Sequence, residues 1–368
     1  MSGEVGARMA KIVLFGATGY TGRLTAAALK ARGAQTVLAA RNKATLAALA
    51  DELGGAETAV ADVSDPASVR ALLSRGDVLI STVGPFLRYG QPALDAALDA
   101  GAHYLDSTGE GPFIRGVFDR DEQARDAGVG LLSAFGFDFV PGNLAAGLAL
   151  DNAPDAVRAE VCYGVVNPGT SGGTQASIAG MLFEEGFALR DGHLRPANLG
   201  ARVRNFEIDG KSRTAASLPG SEHLTLVRSY PQLRDVDVYM SAAPNAARGL
   251  QFGARLTGLA GKVGVLKKAG NAVVSRAVRG STGGPSPEQR ARASSWVVAE
   301  AVDAGGNVVA TSTLSGVDPY DFTAAMLAWG ADTTLAGGLR TTGALGPVEA
   351  FGLPELTAGA AEAGLKQA

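Results

Sequence analysis

Strand-length apolar runs and stretches with helically spaced apolar residues alternate from residue 10 to about 134. The runs are AKIVLF, QTVLAA, ETAVA, DVLIST, AHYLD and GVGLLSA. Between them lie amphipathic segments such as NKATLAALADELGG, which ends in glycine as a helix C-terminus should. This rhythm predicts a parallel sheet with crossover helices. The six runs complete a doubly wound Rossmann sheet, for which right-handed crossovers favour the order 3-2-1-4-5-6.

Past residue 135 the rhythm changes. AEVCYGVV, VRNFEI, TLVRSY and DVDVYM alternate with a period of two, like strands with one wet face, and SSWVVAEAVDAGGNVVATSTLSG reads as a hairpin turning at DAGGN. The expected fold is α/β: a Rossmann domain over 1–134, then a second α/β domain over 135–330 whose sheet is mixed or largely antiparallel and which serves substrate binding and dimerisation. YDFTAAMLAWGADTTLAGGL is helical in pattern, and a C-terminal helical segment over 331–368 is expected to pack back on the first domain. STGGPSPEQ reads as an exposed loop. The most apolar window, GVGLLSAFGFDFVPGNLAAGLAL, carries Asp138, Pro141 and Asn143 in its middle, so it reads as a buried strand, a loop and a helix rather than a membrane span.

The first strand runs into KIVLFGATGYTGRL, a glycine triplet at the opening of a helix. Gly16 allows the tight turn, Gly19 lets the backbone approach a pyrophosphate, and Gly22 lets the helix pack closely on the sheet. The loop of Gly16, Ala17, Thr18, Gly19, Tyr20, Thr21 and Gly22 thus faces a nucleotide with a helix N-terminus, whereas a bare turn would need none of the strand and helix around it. At the end of the second strand, where an NAD enzyme places an acid, stand Arg41, Asn42 and Lys43. A guanidinium there pairs with a 2′-phosphate, so the cofactor is read as NADP(H). Asp62, ending strand three, either edges the adenine pocket or begins a turn.

Composition narrows the function class. The 368 residues suit two domains, and a net charge of −3 gives no general attraction for nucleic acid. Cys162 is the sole cysteine, which excludes an internal disulfide and fits a reducing, cytoplasmic setting, peripheral membrane attachment apart. MSGEVGARMA lacks the apolar core of a signal peptide. His103, His193 and His223 show no ligand spacing, and no metal is expected.

Four motifs in order, KIVLFGATGYTGRL, STVGPFLRYGQPAL, HYLDSTGE and FGFDFVPGNL, resemble the saccharopine dehydrogenase-like NADP-binding reductases, within them the branch of trans-acting enoyl reductases of lipid and polyketide assembly. Weaker likeness continues through TSGGTQASIAGML and VDPYDFTAAMLAWGADTTLAGGL. The resemblance implies a Rossmann domain that binds NADP(H) through Gly16 to Gly22, a loop of Val83, Gly84 and Pro85 under the nicotinamide, and a second domain completing the cleft. It also implies a smaller polar residue where Phe139 stands and an acid where Asn143 stands.

A nicotinamide reductase needs a proton donor beside the acceptor. Tyr89 and Asp138 are the candidates, against ordinary readings as a packed aromatic and a capping acid. Arg88 either holds an anionic substrate group or is a plain loop arginine, while Asp106 and Glu110 read as ordering their own turn. The TSGGTQ loop either cradles an anion or is a turn capped by Thr174. No tyrosine has lysine four residues on, so the Tyr-x-x-x-Lys dyad is missing. Between 245 and 292 nine Lys or Arg face the single acid Glu288, with Leu256, Leu259, Val263 and Leu266 at helical spacing. That stretch reads as a contact for an acyl-carrier partner or a membrane surface, or as a wet-faced helix at a homodimer contact. The residues support an NADP(H) oxidoreductase, and the resemblance adds an enoyl lipid or polyketide-type substrate. Reduction of an imine, or NADP(H) binding without turnover in a regulator, are the alternatives.

Overall fold

The computed structural model describes residues 9–181, 186–208, 210–259 and 283–368. A parallel sheet forms from β1 (Ile12–Phe15), β2 (Thr36–Ala40), β3 (Glu57–Val60), β4 (Val78–Ser81), β5 (His103–Asp106) and β6 (Gly130–Leu132). Their order is 3-2-1-4-5-6, and a seventh strand, β15 (Gly343–Ala344), pairs outside β6. β1 and β4 are buried along their whole length because helices cover both faces, whereas β3 is the exposed edge. The crossover helices are α1 (Tyr20–Ala31), α2 (Lys43–Glu52), α3 (Pro66–Arg70), the turn α4 (Phe86–Tyr89), α5 (Gln91–Ala100), α6 (Gly111–Phe118) and α7 (Asp121–Ala127).

From β6 the chain enters α8 (Val140–Asp151), whose sides are apolar nearly all round, and α8 packs on the second sheet. The second sheet has the order β10-β11-β12-β7-β13-β14-β16, with β8 pairing β12 and β9. Its strands are β7 (Arg158–Val166), β8 (Gly186–Arg190), β9 (His193–Ala197), β10 (Val203–Ile208), β11 (Lys211–Ser217), β12 (Asp235–Ser241), β13 (Ser294–Val302), β14 (Val308–Gly316) and β16 (Leu365–Gln367). The β7–β12 pair is parallel and the other pairs are antiparallel, which makes the sheet mixed. The remaining helices are α9 (Gly172–Met181), α10 (Glu222–Ser229), α11 (Pro244–Leu259), α12 (Pro287–Arg290), α13 (Pro319–Leu335), α14 (Pro347–Phe351) and α15 (Leu353–Glu362). α13 packs on α1, where Arg32 pairs with Asp332 at 3.2 Å and also with Glu362.

One expectation needs correction. TLVRSY is the body of helix α10, not a strand: Glu222, His223, Thr225 and Leu226 form one buried face, and the polar members of that face hid its helical spacing. STGGPSPEQ is exposed over most of its described part, as expected, although Pro285 is buried and the short helix α12 begins at Pro287 with a capping box on Ser286. The β8–β9 hairpin escaped the sequence pattern although Asp191 and Gly192, at φ 51° and 76°, are the turn pair such hairpins use.

Candidate active site

The doubly wound order places the switch point between β1 and β4, and ligands of such sheets lie beyond the carboxyl ends of the strands. At the end of β1 the chain turns at Gly16, φ 90°, with the amides of Gly16 and Ala17 both donating to Ala39 O. A Cβ on Gly16 would lie 2.7 Å from Thr82 Oγ1 and 2.9 Å from Val83 Cγ2; one on Gly22 would lie 2.2 Å from Gly16 O. The glycines therefore let the end of β4, the turn and α1 close on one another. Gly19 caps α1 without a side chain, which leaves the first-turn amides of α1 for a ligand. Arg41 and Lys43 are exposed at the end of β2. This cradle, helix terminus and pair of exposed cations fit the phosphates of NADP(H).

Some neighbouring groups are committed elsewhere. Asn42 Oδ1 accepts the Thr45 amide at 3.0 Å and so caps α2. Asp62 Oδ1 accepts the amide and hydroxyl of Ser64 at 2.8 Å, the turn alternative, and these bonds hold its carboxyl below the usual range. Tyr20 turns away from the cradle: its hydroxyl donates to Pro285 O at 2.6 Å and accepts from Arg290 at 3.0 Å, and its ring meets Tyr320 edge-on at 5.1 Å. Tyr320 Oη in turn accepts the Ser171 amide at 2.7 Å and meets Thr174 Oγ1 at 2.6 Å. Within the TSGGTQ turn Ser171, rather than Thr174, is the cap, its Oγ accepting the Thr174 amide.

On the β4 to β6 side, Val83, Gly84 and Pro85 lead into α4, with a cis bond before Pro85. Tyr89 is half-buried there under the Arg88 guanidinium, 4.9 Å from its ring centre. Glu110 is 2% exposed and does not order its own turn. Its carboxylate accepts the amides of Phe86 at 2.8 Å and Leu87 at 3.0 Å, and the hydroxyl of Ser177 on α9 at 2.7 Å. Asp106 does order local chain, accepting from Thr108 N, and also reaches Ser133 Oγ and Ala134 N. Burial pushes its carboxyl up to about 6. With Asp106 on its amide, Ala134 sits at φ 59°, a left-handed conformation rare for alanine.

Asp138 follows on this loop, half-buried against Gly109, and burial pushes its carboxyl up to about 6. Its neighbours Phe137 and Phe139 both place their rings edge-on to Tyr163, at 5.5 and 5.9 Å. No hydrogen bond joins Asp138 to Tyr89. Behind the loop Tyr163 Oη accepts the Gly142 amide at 2.8 Å and donates to Glu222 Oε1 at 2.5 Å. Glu222 is fully buried, its Oε2 has no hydrogen-bond partner, and burial drives its carboxyl up to about 8. Asn143 donates to Phe139 O and Ser221 Oγ while accepting from Thr225, a donor-and-acceptor pattern that a carboxylate could not provide. The buried acid of this region comes instead from Glu222 on α10.

Sequence reasoning missed Glu222, Tyr163 and the reach of Glu110, since each acts on residues 21 or more positions away. A surface groove of about 580 Å³ lined by Asp151, Tyr230 and Arg340 lies at the opposite end of α8 and gathers none of the predicted residues. In the basic stretch α11 is described and exposes Phe252, whereas Lys262, Val263, Leu266, Lys267 and Lys268 lie outside the described residues. Among the described residues no helix is long and apolar enough to cross a membrane, and no acidic, His or Cys cluster could hold a metal.

Residues 12–131 match the family model of the saccharopine dehydrogenase NADP binding domain, which makes NADP(H) the cofactor of the parallel sheet and its glycine cradle. Trans-acting enoyl reductases of Mycobacterium ulcerans and Mycobacterium bovis BCG are 41% and 40% identical over 141 and 140 residues, each covering 36% of this chain and 34% of the relative. A further Mycobacterium tuberculosis relative is 39% identical over 184 residues, 46% of this chain and 44% of its own length. The chain thus spans less than half the length of these relatives. The fold as a whole is similar to apo saccharopine dehydrogenase (L-Glu forming) from Saccharomyces cerevisiae, with a TM-score of 0.61 over 97% of this chain and 99% of that one, at 14% identity.

Proposed function

We propose that this chain is an NADPH-dependent reductase acting on a carbon–carbon double bond conjugated to a carbonyl, in a lipid or polyketide-type substrate. The observation that carries the reading is that the NADP-binding cradle and the half-buried acid Asp138 open at the same carboxyl edge of one sheet. The names of the mycobacterial relatives support the enoyl substrate. So does charge: loops 82–90, 106–111 and 134–143 carry one cation, Arg88, where an amino-acid imine would call for several.

In this reading Gly16 to Gly22 hold the pyrophosphate, Arg41 and Lys43 the 2′-phosphate, and Val83, Gly84 and Pro85 line the nicotinamide side. Bound NADPH supplies a hydride. Asp138 in its neutral form gives the matching proton, with Tyr89 as the second candidate donor, and the double bond gains one hydride and one proton. An acyl-carrier or membrane-surface contact through 245–292, and a homodimer, belong to the same proposal.

Affinity for NADPH against NADH, measured with Arg41→Asp alongside, tests the cofactor. The wild type should prefer NADPH by about 100-fold and the variant should lose that preference. NADPH consumption with enoyl thioesters should fall as pH rises through about 6, where Asp138 gives up its proton, and Asp138→Asn should abolish that limb. Turnover of cyclic imines alone would favour the imine reading, and binding without turnover of either class would favour a regulator.

A further inference from the structure

We infer that Glu110 is a positioning residue for the nicotinamide half of the cleft, and that through Ser177 it ties that half to α9, the helix that follows β7. The inference rests on the cofactor reading above. Burying a carboxylate costs several kcal/mol unless it is well paired, and the partners found here are three donors, namely the Phe86 and Leu87 amides and the Ser177 hydroxyl. Those two amides open the turn directly after Pro85, and Pro85 brings no side-chain cap of its own. A cap from 24 positions away therefore fixes where Val83, Gly84 and Pro85 lie. Glu110 is itself held at both backbone ends, its amide on Thr108 Oγ1 and its carbonyl accepting from Phe113 and Ile114. Phe86 and Phe113, 5.6 Å apart, brace the same junction.

In a doubly wound sheet the second half of a dinucleotide lies over the strands beyond the switch point, here β4 and β5. Glu110 touches neither the glycine cradle nor Arg41. Its loss should thus disturb the nicotinamide half and spare the adenosine half, a split that general destabilisation would not produce.

The test uses the full chain with Glu110→Gln and Ser177→Ala, titrated with adenosine 2′,5′-bisphosphate and with NADPH, recording the emission spectrum of bound NADPH. Gln keeps the size but turns one acceptor oxygen into a donor facing an amide. Glu110→Gln should bind the bisphosphate like the wild type, bind NADPH about tenfold more weakly, and shift the emission toward that of free NADPH. Ser177→Ala should move the emission the same way by less. Wild-type NADPH affinity and emission in both variants overturn the inference. Should Glu110→Gln lose the bisphosphate as well, Ser177→Ala decides, and an unmoved emission overturns it. A wild type that binds the bisphosphate but not NADPH also overturns it; one that binds neither overturns the cofactor reading itself.

Discussion

The two halves of the cleft are built by different means. Beyond β1 to β3 the constraints, apart from Tyr20 on Pro285 and Arg290, are backbone turns and short local bonds, with Asn42 on Thr45, Asp62 on Ser64, and Gly19 on Gly16. Beyond β4 to β6 they are buried side chains with distant partners: Glu110 on Phe86 and Ser177, Asp106 on Ala134, Tyr163 on Glu222, and Asn143 with Thr225. The first arrangement presents a generic phosphate cradle that tolerates surface change. The second fixes the loop that carries Asp138 to a particular core, so it is costly to alter and sensitive to protonation.

The sharpest way to break the contrast is Gly22→Ala. Its Cβ would meet the Gly16 carbonyl, a backbone atom that cannot swing aside, so the variant should lose about 3 kcal/mol of stability in denaturant unfolding and bind NADPH poorly. Tyr163→Phe comes next. It strips the Gly142 amide of its acceptor and Glu222 of its donor in a buried site, for a loss of about 2 kcal/mol by the same measurement.

Glu222→Gln sharpens the comparison through pH. Folding raises this carboxyl from 4.5 to about 8, so the native state keeps a proton that the unfolded chain has released between those values. The contribution of Glu222 to stability therefore falls as pH rises across that window and levels off above it. The melting temperature of Glu222→Gln should gain on the wild type by several degrees from pH 5 to pH 8, and an unchanged difference would count against a neutral buried Glu222. Smallest is Asn42→Ala on the local side, which removes one helix cap and should cost about 1 kcal/mol, with no pH dependence between 5 and 8.

The same contrast explains what the sequence reveals. The parallel sheet, its strand order and the glycine cradle are legible because strand alternation and glycine spacing are local signals. Asp138 is legible as an acid at a strand end, but its setting is not, since Tyr163 and Glu222 come from β7 and α10. Helix α10 is hidden for the same reason: Glu222, His223 and Thr225 look solvent-facing until their buried partners are known. β15 and β16 are too short to leave a period, and their places are set by the edges they cover.

Those two short strands carry a consequence for biosynthesis. β15 closes the β6 edge of the parallel sheet and β16 covers β14 of the second sheet, and both come from residues 343–367. A ribosome making this chain has built β6 more than 200 residues before its edge partner exists. Until that far segment emerges, both sheets present open hydrogen-bonding rims, so the nascent protein is exposed to edge pairing with other chains and to capture by chaperones.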